Sequence, residues 1–200
     1  MHPRRRPPAD ISLDQLFTCW LPAEIERLGS AAGSAAQPVR IEIHGPEAGS
    51  WDLCLSRGKL IVTAGDVAHQ PMVTLRLSSD DWRALIVGEE GPVSLSPPAS
   101  SATDLLFIDS HSQQLVSKVS GTFRFAIHHY NGRTWALSAT LGCGPQSDPP
   151  DATIAMDATT YAAIVARKLS VAEAFWAKKI AISGDAARGM QVGLALLPKF

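Results

Sequence analysis

Cysteine is scarce in this 200-residue chain: Cys19, Cys54 and Cys143 are widely spaced and form no CxxC pair. That pattern argues against a disulfide framework or a zinc site and reads as buried thiols in a reducing compartment. Charge of one sign is also lacking. Eighteen basic residues stand against 19 acidic ones, a formal net charge of -1, so no global field draws the protein onto nucleic acid or an anionic bilayer. Nucleic acid is not an expected partner, and membrane contact is expected to be transient at most. No run approaches the roughly 18 apolar residues of a membrane span. The one basic cluster, Arg4 to Arg6, lacks the apolar segment of a signal peptide and is followed by prolines. It reads as a solvated tail, and the chain is expected to be cytoplasmic. No G-x-S-x-G elbow, H-E-x-x-H pair or phosphate-binding glycine loop is present, so the expectation is no catalytic residue, no metal and no cofactor.

What the chain has is apolar surface, 46% of its residues, enough for a substantial core. Near the N-terminus, Ser12 and Gln15 make a capping box ahead of Leu13, Leu16, Phe17, Trp20 and Leu21, the stripe of an amphipathic helix. Pro22 can open a second stretch of helix, and Gly29 ends it. After a small-residue linker the period changes to two. Val39, Ile41 and Ile43 alternate with polar residues, WDLCL and KLIVTAG follow as strands around Arg57-Gly58, and MVTLRL is another. Ser78 to Asp81 then start a helix carrying Trp82, Leu85 and Ile86. Asp80-Asp81 reads as helix N-terminal charge rather than an acid-base dyad. The segment from Gly88 to Asp104, rich in proline, glycine and serine, is the best internal boundary, and a helix is expected within Leu105 to Val119. FRFAI, TWALSATLG and ATIAM give further strands, with Asn131-Gly132 as a hairpin turn.

The halves answer one another in order. Trp51 matches Trp135, Thr74 matches Thr153 and Trp82 matches Tyr161, which indicates an internal repeat of roughly 80 residues. The domain reading is therefore 1–110, an N-terminal helix plus a shortened repeat, and 111–200, a fuller unit. Either the first copy leans on the second, or two incomplete units share a sheet in one globule.

The C-terminal stretch supplies much apolar surface and little candidate chemistry. Ser170 and Glu173 form a second capping box, Ile180 and Ile182 alternate along a strand, and Gly184 and Asp185 lead into a final helix of Met190, Val192, Leu194, Leu196 and Leu197 among small residues. This ordered series resembles the sterol carrier protein 2 (SCP2) sterol-binding domain family. The matching residues are Asp151, Thr153 and Met156 of a DxTxxM strand, Lys168-Leu169, Ala174-Phe175, Lys179-Ile180, Ile182, Gly184 and Asp185, with Trp135 upstream. The likeness covers about 121–197, with a weaker, shortened version over 39–88. Two positions depart from the family pattern: Arg167 and Lys178 stand where a glycine commonly precedes the lysine.

The resemblance implies an α+β fold in which a mostly antiparallel sheet of about five strands is covered by helices. It further implies a tunnel between sheet and helices that binds, and transfers, a fatty acid, acyl-CoA or sterol-like lipid without catalysis. The expected lining on the sheet is Phe123, Phe125, Ile127, Trp135, Leu137, Ile154 and Met156, or the alternate set. From the helices it is Ile164, Phe175, Trp176, Met190, Leu194 and Leu197. The alternative is an accessory or scaffold domain with a collapsed cavity that binds another protein. A homodimer through an edge strand is left open. His128 and His129 lie at a hairpin mouth, where adjacent strand residues point to opposite faces and do not converge on one metal.

Overall fold

Val39, Ile41 and Ile43 are buried while Arg40, Glu42 and His44 lie toward solvent, as a period of two requires. In the computed structural model, which describes residues 7–28, 37–65, 71–87, 114, 117–142, 144 and 146–196, these residues form β1 (Val39–His44). It is followed by β2 (Gly49–Ser56), β3 (Lys59–Ala64) and β4 (Val73–Ser78). The second half supplies β5 (Gly121–Tyr130), β6 (Arg133–Leu141), β7 (Ala152–Asp157) and β8 (Ile180–Gly184).

All eight strands join one sheet in the order β3-β2-β1-β4-β6-β5-β7-β8. The expectation of about five mostly antiparallel strands is corrected here: the sheet is mixed, with β1 parallel to β4 and β5 parallel to β7. Hydrophobic alternation is the same in parallel and antiparallel strands when one face is covered, so the pattern could not reveal those pairings. The order also displays the repeat. In each half a hairpin (β1-β2, β5-β6) has a parallel strand on its first member, then a helix. The halves meet where β4 pairs antiparallel with β6, from Val73 opposite Leu141 to Arg76 opposite Ser138.

Register keeps one face apolar across all eight strands. Ile41 lies beside Trp51 and Leu75, Leu75 beside Ala139, Ala139 beside Phe123, and Phe123 beside Ala152. The opposite face is polar. Arg40 donates to both carboxylate oxygens of Asp52 at 2.7 and 2.8 Å, Arg76 reaches Glu42 at 2.9 Å, and the Thr122 and Thr140 hydroxyls meet at 3.2 Å.

Helices cover the apolar face. At the N-terminus α1 (Leu13–Gln15) runs through a π-helical turn, Leu16–Trp20, into α2 (Leu21–Leu28). The wider turn precedes Pro22, which has no N–H to donate, and the Leu21 N–H reaches the Leu16 carbonyl instead. The Ser12 cap is present, its hydroxyl accepting from Gln15 N–H at 3.2 Å. After β4 comes α3 (Ser79–Ile86), capped by Ser78. After β7 come α4 (Ala158–Val165) and α5 (Val171–Trp176), and after β8 comes α6 (Ala186–Leu196). The helix expected within Leu105 to Val119 falls almost wholly outside the described residues. Cys19 is exposed and Cys54 half-buried, which corrects the reading of buried thiols for both; Cys143 lies outside the described residues.

Candidate functional site: a seam in the apolar layer

The two halves of the layer between sheet and helices are filled differently. Over the first half, Phe17 from the π-helical turn is stacked between Trp51 and Trp82, with ring centroids 4.4 and 4.9 Å away. Beneath it Val39, Ile41, Leu53, Val73, Leu75 and Leu77 are all buried. That stack closes the space.

Over the second half the core divides. The main cluster extends through Phe123, Ile127, Trp135 and Leu141. A separate small cluster holds Ile154, Met156, Ile164, Ala174 and Ile180. Phe125 and Tyr161 pack against both clusters and are only half-buried. Beside Phe125 in register stand Leu137 on β6 and Ile154 on β7, with Ile182 on β8 next to Ile154. Leu137 and Ile182 are likewise half-buried although they lie on the covered face. The two clusters meet at these half-buried apolar side chains, with Phe125 and Tyr161 packed against both.

Most of the expected sheet lining therefore faces this layer. Phe123, Ile127 and Trp135 belong to the main cluster with Leu137 packed against it, Ile154 and Met156 belong to the small one together with Ile164 of α4, and Phe125 packs against both. Trp135 is also anchored, its indole N–H donating to the Asp81 carbonyl at 2.8 Å. The helical residues are more dispersed. Phe175 is half-buried and makes an edge contact with Trp176 at 5.9 Å. Trp176 is 80% exposed and Met190 is exposed, and neither joins an apolar cluster. The Leu194 side chain and the whole of Leu197 lie outside what the structure describes. Sequence reasoning passed over Tyr161 and Ile182 as lining. Tyr161 stands one turn before Ile164 on α4, an i,i+3 relation that could have placed it on the same face.

Tyr161 brings the polar atom of the seam. Burial, reinforced by electrostatic repulsion from the Tyr130 phenol, pushes its phenol above the ordinary range, so it stays neutral at physiological pH and acts as a hydrogen-bonding group. On the far side, α6 comes very close to β7 and β8. A Cβ at Gly189 would lie 2.6 Å from Ile182 Cγ2 and 3.1 Å from the Ala152 Cβ. The small residues of the last helix thus serve close approach to the sheet here.

The histidine pair sits at a β-bulge between Ile127 and Tyr130, with His129 at φ 57°. Even with the bulge the rings part: His128 Nδ1 lies 3.2 Å from Thr134 Oγ1, and His129 Nε2 is 3.7 Å from Asp157. Among the described residues no three His, Cys, Asp or Glu side chains gather as a metal site, and no helix is long and apolar enough to cross a membrane. A groove of about 500 Å³ beside α1, lined by Pro8, Asp10, Ile11, Gln15, Cys19 and Trp20, opens broadly to solvent.

The architecture is that of an α+β protein in which helices cover the apolar face of one sheet. The sequence profile of the SCP-2 sterol transfer family matches residues 17–96 and 102–196, and the chain belongs to that family of lipid-binding and transfer domains, with one family match for each half of the repeat. Among solved structures, sterol carrier protein 2 from Yarrowia lipolytica in its apo form is 15% identical, covering 44% of this chain and 74% of its own, with a TM-score of 0.34. Sterol carrier protein 2 like 2 from Aedes aegypti is 24% identical over 48% of this chain and 97% of its own, with a TM-score of 0.30. A stereoselective inverting sec-alkylsulfatase from Pseudomonas sp. is 13% identical over 82% of this chain and 13% of its own, with a TM-score of 0.20. Comparison with curated protein sequences returns no match.

Proposed function

We propose that the chain binds one hydrophobic ligand, a fatty acid, acyl-CoA or sterol-like molecule, at the seam between its two apolar clusters, and carries it without chemical change. The observation that carries this reading is the contrast between the halves: Phe17 stacks between Trp51 and Trp82 over the first, whereas Phe125, Leu137 and Ile182 on the covered face of the sheet and Tyr161 on α4 stand half-buried over the second. An acyl chain entering there gains about 0.8 kcal/mol per buried CH₂. The seam therefore holds a long chain by burial, with the neutral Tyr161 hydroxyl as its polar contact. The surrounding side chains are aromatic and aliphatic and offer enclosure rather than a nucleophile. Such a site selects shape and length weakly.

Native mass spectrometry of freshly purified, never-delipidated protein tests this, with organic extraction to identify the adduct. The expected result is a stoichiometric adduct of acyl-chain or polycyclic mass that is lost in Leu137→Trp, where the larger ring fills the seam. A clean apo mass that persists after incubation with fatty acids and acyl-CoA overturns the reading.

A further inference from the structure

The segment from Ala166 to Lys179 concentrates charge in a protein that is nearly neutral overall. Arg167, Lys168, Lys178 and Lys179 face one carboxylate, Glu173, within it. The two basic pairs flank α5, a helix of six residues, so they lie at the two ends of an element about 9 Å long. At its end stands Trp176, 80% exposed, the most exposed large hydrophobic residue described. Lys168, Lys178 and Lys179 are exposed as well. Glu173 accepts from the Ser170 N–H at 2.8 Å as part of the helix cap.

Two of the cations occupy backbone conformations that disfavour them. Arg167 and Lys178 have φ of 57° and 56°, the left-handed region that favours glycine. Each follows a helix C-terminus closed in the same way, with Lys168 N–H on the Ala163 carbonyl and Lys179 N–H on the Ala174 carbonyl. A basic side chain placed twice where glycine is less strained, on either side of an exposed indole, is a combination that folding does not ask for.

We propose that this tip, Trp176 with Arg167, Lys168, Lys178 and Lys179, docks on a bilayer surface that carries anionic headgroups. An indole seats at the headgroup level, where its apolar body and polar N–H are both satisfied, and flanking cations add attraction that decays within a Debye length. The net charge of -1 includes these four cations, so the rest of the molecule is net acidic and the attraction comes from the tip alone. The docking stands apart from ligand capture at the seam.

Co-sedimentation of the full chain with vesicles of phosphatidylcholine alone, or with phosphatidylserine added, is the test. Binding is expected to the phosphatidylserine vesicles, to be lost at high salt, and to weaken on the order of fivefold for each cation removed. Trp176→Ala and Lys178→Gly are both expected to weaken it. Lys178→Gly is relieved of the left-handed backbone, so it keeps the fold and its loss of binding cannot come from unfolding. Wild type that ignores phosphatidylserine vesicles, or variants that bind them as wild type does, overturn the proposal. So does a concentration-dependent dimer abolished by Trp176→Ala, which assigns the tip to a second copy. Ligand adducts seen by mass spectrometry are expected to be unchanged in these variants, so failure of docking and failure of the seam reading are separable.

Discussion

Asp151 shows how a motif residue can be legible in sequence while its purpose is not. It opens the DxTxxM strand, and its carboxylate is the tie between the ends of that half of the sheet. Oδ2 accepts from Thr122 N–H at 2.7 Å and from the Ser147 hydroxyl at 3.1 Å, while the Asp151 carbonyl accepts from Asp185 N–H at 2.8 Å. The Thr122 amide above all, helped by Ser147 and Arg188, holds the carboxyl below its usual range. A depressed folded-state pKa gives stability that is fully present above the unfolded value, near 3.9, and is lost as pH falls through the lower folded value. Asp151→Ala is therefore expected to lower stability at neutral pH by about 0.5 to 1.5 kcal/mol, solvent screening the charged hydrogen bonds of a carboxylate that is only partly covered. In denaturant titrations the gap from wild type should shrink steadily below about pH 4; a gap that is constant down to acid would assign the effect to packing. Arg167 and Lys178 teach the converse. The family pattern commonly has a glycine at these two positions, and the structure gives both residues the left-handed backbone a glycine would have taken, information that residue type alone contradicts.

Among the elements, helix starts and tight turns were the most readable, because each is specified by two or three neighbouring residues. The Ser170–Glu173 box closes in both directions, at 3.1 and 2.8 Å. Asn131 and Gly132 take positive φ of 47° and 79°, as a two-residue hairpin turn requires. The destination of an element was far less readable. The stripe of Leu13, Leu16 and Phe17 announced a helix, but nothing local said that Phe17 would be the plug between Trp51 and Trp82 in the first half. Phe17→Ala is expected to lower stability by about 3 to 5 kcal/mol, the range for a buried aromatic truncated to a cavity, measured by urea unfolding. If that plug is also what denies the first half a ligand, the same variant should take up a second equivalent of fatty acid in native mass spectra. A variant as stable as wild type would mean that α1 and α2 rest on the sheet without filling it.

At the scale of the whole molecule, the two family units share one sheet, and the join is made by particular side chains as well as by the ladder. Asp81 belongs to the first half, on α3, with its amide held by Ser78 at 3.0 Å. Its carboxylate takes the Arg133 guanidinium of the second half, and its carbonyl takes the Trp135 indole. The sequence showed the helix cap and the acidic first turn. It could not show the partner 52 residues later, because pairing between repeats follows from sheet order, which alternation does not encode. Asp81 is 7% exposed, so removing its carboxylate strips a buried charge partner from Arg133. Asp81→Ala is expected to cost about 2 to 4 kcal/mol, and a double-mutant cycle with Arg133→Ala to give a coupling of about 1 to 3 kcal/mol. Because β4 and β6 form a continuous ladder, both halves should melt together: far-UV circular dichroism and tryptophan fluorescence are expected to trace one superimposable transition in wild type and in Asp81→Ala alike. Two separated transitions in wild type would show that each half folds on its own core, and the shared sheet would then be a contact between independent domains rather than the structure that completes them.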